Sequence, residues 1–407
     1  MAETPLASDT ELDTPRDPPR DTPRDVRNLS WALMAGNFAI GCGVMVVAGS
    51  LNDLVRSLHI SVALAGQLIT VAAVAMALGA PLLAVAVGRS DRRRLLSLAL
   101  LWYAVGHALC ALMPSFAALL PVRAATVLGA AVFTPQAAAA VNALAPAAER
   151  GRAITFIFLG WSLSSVIGMP LHSYIGETLG WAWAFGLVAL LSAGAARWVW
   201  WAVPDGVRPA PLSLGNWRSA LANPGLMGVV VVTALSAAGQ FSVFSYFAPY
   251  YRQVLGVDAS GVSFLFLWFG AFGLLGNMLI SRWIDRFSPA RCVTWLLGAI
   301  ALTMLVWPLA QGLWGMALVL IPWALGCFAS NSAQQARLGA AAPALAPALM
   351  ALNTSAMYLG QALGAAGGGA LVAGFGLQAL NGVALAWMLL AVGLSALLLQ
   401  RAAAPRN

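Results

Sequence analysis

The sequence predicts an all-α integral membrane protein: twelve transmembrane helices in two six-helix, pseudo-repeated halves. Three observations predict it. The chain is 60% hydrophobic and only 9% charged, whereas a soluble domain carries about 25% charged residues. Apolar runs of roughly 20 residues recur from Trp31 to Leu399, each long enough to cross a hydrocarbon core of about 30 Å. The chain also repeats itself 197 residues on: Gly79 meets Gly276, Arg89 meets Arg286, Arg94 meets Arg291, Leu128-Gly129 meets Leu325-Gly326, and Pro146 meets Pro343. Insertions would have broken that register, so the chain reads as two parallel repeats.

Residues 1–29 are polar and rich in Pro, Asp and Arg, as in Asp13-Thr14-Pro15-Arg16-Asp17. They contain no apolar core of their own, so they read as a disordered cytoplasmic tail and not as a cleavable leader. The N-terminal half then covers 30–203 with spans near 30–51, 62–87, 95–113, 116–144, 153–177 and 181–203. Residues 204–225 contain Pro204, Pro209, Pro211 and Pro224 with Arg208 and Arg218, and read as a cytoplasmic linker. The C-terminal half covers 226–400 with spans near 226–250, 260–281, 292–310, 314–338, 348–373 and 378–400, and 401–407 form a short cytoplasmic tail.

Charge sets the orientation. All 22 basic residues are Arg, and the net charge is +8. With the N-terminus inside, only Arg56 and Arg252 fall on the outer side and Arg123 within a span. The rest lie at the cytoplasmic side, as the positive-inside rule requires. That distribution argues against nucleic acid as the partner of the charge. The four cysteines (Cys42, Cys110, Cys292 and Cys327) all lie in apolar runs without CxxC spacing, which indicates packing residues and no metal site.

Polar groups inside spans need a partner, a cavity or a function, because a charge at the bilayer centre costs about 2.5–3.5 kcal/mol on insertion scales. Arg123 lies about two turns into its span; it reads either as a cavity-facing gate or proton-relay cation or as a snorkelling side chain. His107 and His172 are candidates for a coupling proton or are neutral packing residues. Asn37, Gln136, Gln240, Tyr246, Asn331 and Gln334 gather on the first helices of successive three-helix units, with Trp161 among the aromatics near them. They read as the lining of a substrate cavity or as interhelical glue worth about 0.6 kcal/mol per bond. Amides, hydroxyls and aromatics suit a moderately apolar or neutral polar solute, not a dianion. No Asp or Glu lies near the middle of a span, so proton coupling would fall to the histidines or to a rim acid such as Asp53 or Glu177. Glycines crowd spans 5 and 11, where they would allow close packing and sliding.

Together these residues resemble the major facilitator superfamily from about residue 28 to 400. The stretch Ala84–Arg93 is similar to the family's loop motif G-x-x-x-D-R-x-G-[RK]-[RK]: Arg89, Arg92 and Arg93 fit, while Ala84, Gly88 and Asp91 replace the first glycine, the aspartate and the second glycine. The second copy keeps Asp285 and Arg286. The resemblance implies a gating role for this loop, with the latch either weakened in the first half or kept by Asp91 standing in from one turn away, and links Arg123 to proton transfer. Gly160 with Gly168-Met169-Pro170 resembles the fifth-helix motif of exporters. Phe244–Pro249 and Leu352–Gly360 are similar to the arabinose-efflux-permease and drug-proton antiporter branch.

The resulting expectation is a monomeric secondary active exporter of a drug, sugar, nucleoside or amino-acid-like solute, working by alternating access in the bacterial inner membrane. It would exchange solute for protons, with both termini inside, no cofactor and no enzymatic activity. His172 or Asp53 would carry the proton and Arg123 would tune it. The rivals are a proton-independent facilitator or uptake carrier on the same fold, and a non-transporting membrane sensor. Scattered histidines give no enzyme-like cluster.

Overall fold

The computed structural model describes residues 23–146, 150–208 and 214–403. The described chain is helical with no strand. Twelve rods follow one another: α1 (Pro23–Gly49, continued by Leu51–Ser57), α2 (Val62–Ala86), α3 (Arg92–Ala111), α4 (Phe116–Thr126 and Leu128–Leu144), α5 (Arg150–Leu163, a π turn over Ser164–Gly168, then Met169–Thr178), α6 (Trp181–Ala202), α7 (Pro224–Phe244 and Phe247–Gln253), α8 (Ala259–Phe287), α9 (Pro289–Val306), α10 (Gly312–Ala341), α11 (Ala346–Phe375) and α12 (Leu380–Ala403). Eleven of them are long and apolar enough to cross a membrane. The twelfth, α11, is 30 residues long, but Asn353, Gln361 and the run Gly367–Gly369 dilute its hydropathy.

Two boundaries differ from expectation. Helix α1 begins at Pro23, inside the stretch read as tail, because nothing in Asp25–Ser30 breaks a helix once the apolar face beyond it is anchored; residues 1–22 lie outside the described ones. The segment read as linker carries a short helix, Leu214–Leu221.

Two of the breaks within rods sit just ahead of a proline. Pro249 cannot donate to the carbonyl of Ser245, and α7 interrupts at Ser245–Tyr246. Pro170 cannot donate to Val166, and α5 widens just before it, with the Met169 amide bonded to the Ser164 carbonyl five residues back.

Helix pairing repeats between the halves. Helix α1 packs on α5 and α6, and α7 packs on α11 and α12. Helix α3 packs on α4 and α6, and α9 packs on α10 and α12. Across the halves, α2 meets α11 and α5 meets α8. The closest repeat contact needs glycine. A Cβ at Gly160 would strike the α1 backbone at the Met34 carbonyl and the Phe38 amide, and a Cβ at Gly360 would strike the α7 backbone at the Ala234 carbonyl. Large apolar side chains such as Leu82, Leu190, Trp201 and Phe375 point outward, as a lipid-facing surface requires.

Two ends of the bundle can be told apart. The arginine-rich end carries Arg89, Arg92, Arg93, Arg94, Arg282, Arg286 and Arg291; the opposite end carries Arg56 and Arg252.

Candidate functional site: a central cavity and its seal

A cavity of about 560 Å³ lies between the halves. It is lined by α1, α2, α4 and α5 on one side and by α7, α8, α9, α10 and α11 on the other. Its lining descends from Phe244, Ser245 and Trp323 to Ile284, Gln335 and Thr354. The last three lie near the arginine-rich ends of their helices, so the cavity runs from mid-bundle toward that end. Among the described residues no charged side chain lines it.

The two walls differ. The N-terminal half supplies mainly apolar groups, such as Met45, Ile69, Phe158 and Leu159, with Thr134, Trp161 and Ser162. The C-terminal half supplies all the lining carboxamides, from Gln240 and Asn277 to Asn331, Gln334, Gln335 and Gln361. Trp323 donates its Nε1–H to Gln240 Oε1 at 2.9 Å, and Gln240 Nε2 donates to Ser236 at 3.1 Å. These bonds fix the amide at the edge of the indole. Gln334 Nε2 donates to the Val229 carbonyl at 2.6 Å, leaving its buried Oε1 without a partner. Beneath this wall Phe244, Phe247, Phe269, Trp307 and Trp323 pack ring on ring, with Phe247 and Trp323 centroids 5.0 Å apart.

Of the seven residues expected to line a cavity, Trp161, Gln240, Asn331 and Gln334 do so; Asn37, Gln136 and Tyr246 lie outside it. Asn37 is buried in helix packing: its Nδ2 donates to the Ile157 carbonyl at 3.0 Å, and its Oδ1 accepts from Thr134 at 2.9 Å. The other half repeats this wiring with the amide moved to α11. Thr233 donates to Asn353 Oδ1 at 2.6 Å, and Asn353 Nδ2 donates to Asn331 at 3.4 Å. Gln136 is buried within α4. Tyr246 donates to the Ala365 carbonyl at 2.7 Å and presses on Gly66 of α2 and Gly369 of α11. It thus closes the cavity toward the far end.

The proton-coupling candidates occupy different environments. Arg123 is 1% exposed. Its Nη1 meets His107 Nε2 at 3.0 Å, and its Nη2 donates to the Gly43 carbonyl at 2.7 Å. It therefore binds α1 and α3 and faces neither lipid nor the cavity. His107 Nδ1 lies 2.9 Å from the Tyr103 carbonyl. A carbonyl only accepts, so Nδ1 carries the hydrogen and Nε2 accepts from the guanidinium. Asp53 accepts from the Trp181 amide at 2.7 Å, at the start of α6, and from Arg56 at 3.4 Å. His172 is fully buried beside Gly49, and both its ring nitrogens lack a partner among the described residues.

The gating-loop residues of the N-terminal half bond within that half and to the linker that follows it. Asp91 caps α3 through the Arg94 amide at 3.2 Å and accepts from the Gly206 amide at 2.7 Å. Arg92 folds back on the carbonyls of Ser90 (2.9 Å) and Gly88 (3.2 Å), satisfying the end of α2. Arg93 lies over the Trp200 ring at 4.6 Å, while Arg89 and Arg286 are exposed. The Asp285 side chain lies outside the described ones. In the fifth helix Gly160 lies against α1, Gly168 meets Cys42, and Pro170 follows the π turn. A Cβ at Gly270 of α8 would meet the backbone of that turn at Ser165 and Val166.

Sequence reasoning placed Glu177 only at a rim. In the fold its side chain is 5% exposed and its Oε2 sits 3.1 Å from Arg56 and 4.0 Å from Arg252. Its signal was present: the two outer arginines belong to different halves, with an acid at the same end.

Two matches to the family model described as Major Facilitator Superfamily span residues 33–348 and 229–407. The chain belongs to the major facilitator superfamily. It is 27% identical over 346 residues to the Inner membrane transport protein YdhP of Escherichia coli K12, covering 85% of this chain and 89% of that one. It is 27% identical over 360 residues to the Purine ribonucleoside efflux pump NepI of Salmonella enteritidis, covering 85% and 88%. Among solved structures, a D-xylose-proton symporter superposes with a TM-score of 0.75 at 17% identity, covering 91% and 97%. This superfamily member is a multi-pass membrane transporter and not an enzyme.

Proposed function

We propose that this chain exports a small, uncharged organic solute from the cytoplasm across a bacterial inner membrane, in exchange for protons. The observation that carries this reading is the central cavity, which among the described residues has no charged lining and reaches the arginine-rich end, while an ion pair ties the two halves together at the other. By the positive-inside rule that end is cytoplasmic, so both termini are inside and the cavity is open to the cytoplasm. The two halves rock as a monomer, and the α2–α11 and α5–α8 contacts loosen as the opposite side closes.

The solute presents a hydrogen-bonding edge to the carboxamides of the C-terminal half and a flat or apolar face to the aromatics. A nucleoside or a sugar-like molecule has that chemistry, and a phosphorylated one does not. The name of the Salmonella relative supports the first class. The π turn before Pro170, at the motif that resembles that of exporters, supports the direction.

Of the four coupling candidates, His172 has the uncommitted nitrogens, so it is the carrier in this reading. Arg123, which holds His107, serves as a structural clasp. A proton-motive force of roughly 150 mV would supply about 3.5 kcal/mol per proton, at about 2.3 kcal/mol per 100 mV.

Everted vesicles with an acidic interior and a pH-sensitive dye test this. Dye recovery on adding a nucleoside or sugar, absent without the protein, is the expected result. That no carboxylate lines the cavity among the described residues favours a second reading, a proton-independent facilitator. Counterflow without a pH gradient, combined with no dye response, would select it.

A further inference from the structure

The far end of the molecule carries a charge arrangement that the transport reading does not use. Glu177, in the last turn of α5, is nearly buried, and one of its oxygens, Oε1, has no partner among the described residues. Its Oε2 faces Arg56 of its own half at 3.1 Å and Arg252 of the other half at 4.0 Å. Asp53 orients Arg56 from one turn away and is itself held by the start of α6. Helices α1, α6 and α8 pack against this part of α5; besides Asp53 and Arg56 on the far segment of α1, and Asp258, which caps α8, the other described charged side chains on them lie at the arginine-rich end. On α5 itself, the titratable groups before it are Tyr174, three residues away, and His172. Among the described residues, the Glu177–Arg252 pair is the one ion pair that joins the two halves.

We propose that Glu177 is a proton-sensitive ionic latch that holds the far mouth closed. As a carboxylate it ties Arg252, and with it the end of α7, to α5. When it takes a proton from the outer medium, O–H replaces O⁻, the attraction for both arginines is lost, and the two halves separate more readily at this end. The latch also gives the two outer arginines a purpose, against the general exclusion of positive charge from that side.

The test uses the full-length protein in right-side-out vesicles. Ala248, fully buried on the far segment of α7, is replaced by cysteine, and its labelling by a membrane-impermeant maleimide is timed. Glu177→Gln is expected to speed labelling about two- to fivefold at neutral pH, the modest factor that partly exposed ion pairs give. Arg252→Gln should do the same and Arg56→Gln less, because Arg56 spans no gap between halves. Acidifying the outer buffer should speed labelling in the parent and not in Glu177→Gln. Unchanged labelling in Glu177→Gln and Arg252→Gln, or acid acceleration that persists in Glu177→Gln, overturns the latch. If Glu177→Gln fails to reach the membrane, Arg252→Gln decides. Labelling needs no solute, so loss of the latch leaves the export reading standing, and an inactive exporter still reports on the latch.

Discussion

Arg123 and His107 complete each other: the guanidinium Nη1 lies 3.0 Å from the imidazole Nε2, and the imidazole Nδ1 is spent on the Tyr103 carbonyl. A proton added to Nε2 would have to displace the arginine and face its charge. His107→Ala is therefore expected to destabilise the protein by about 1–3 kcal/mol, the cost of leaving buried partners unmade. The pH dependence of transport should remain. Thermal unfolding in detergent, beside a pH profile of transport, checks both halves of the statement.

His172 should behave in the opposite way. Its nitrogens have no partner to lose, so His172→Gln is expected to leave the unfolding temperature nearly unchanged and to flatten the pH profile of solute-driven proton movement. A profile identical to the parent's would remove His172 as carrier.

The contact between α7 and α11 permits a paired glycine test. Gly360→Ala puts a methyl against the Ala234 carbonyl, which cannot move without moving the helix, whereas Gly367→Ala meets nothing within 4 Å. The first should cost about 1–3 kcal/mol, as overpacking does. The second should be neutral or slightly stabilising. Yield and unfolding temperature of the two variants, measured side by side, read the difference.

In the cavity, Gln240 both lines the wall and fixes Trp323. Gln240→Leu is expected to raise the KM for a hydrogen-bonding solute by roughly tenfold, since a lost hydrogen bond that strands its partner costs about 1–3 kcal/mol. Gln136→Leu, buried away from the cavity, should not change KM. Concentration series in the vesicle assay separate the two.

Asp258 caps α8 by accepting from the Gly261 amide at 2.8 Å and from Ser260 at 2.8 Å. The Gly261 bond, then that of Ser260, hold its carboxyl below the ordinary aspartate range. A group lowered in the folded state adds stability above its unfolded pKa and loses it as pH falls through the folded value. Asp258→Asn should therefore lower the unfolding temperature slightly at neutral pH, and the gap from the parent should close in acid.

Composition, apolar period and the internal offset were enough to determine twelve spans, two like halves and the positions of the basic loops. Each follows from a local rule: lipid tolerates only long apolar helices, arginine stays on one side, and a repeat keeps its register. What each polar residue touches was decided by tertiary structure. Asn37 and Asn331 read alike in sequence, yet one is bonded between helices and the other lines the cavity, because a helix exposes a residue to the cavity or to a neighbour according to a rotation that composition does not reveal. Arg123 reads as a lone cation until α1 and α3 bring it carbonyls and an imidazole. Glu177 and Arg252, on separate halves, form a pair only because the fold closes the far mouth over them.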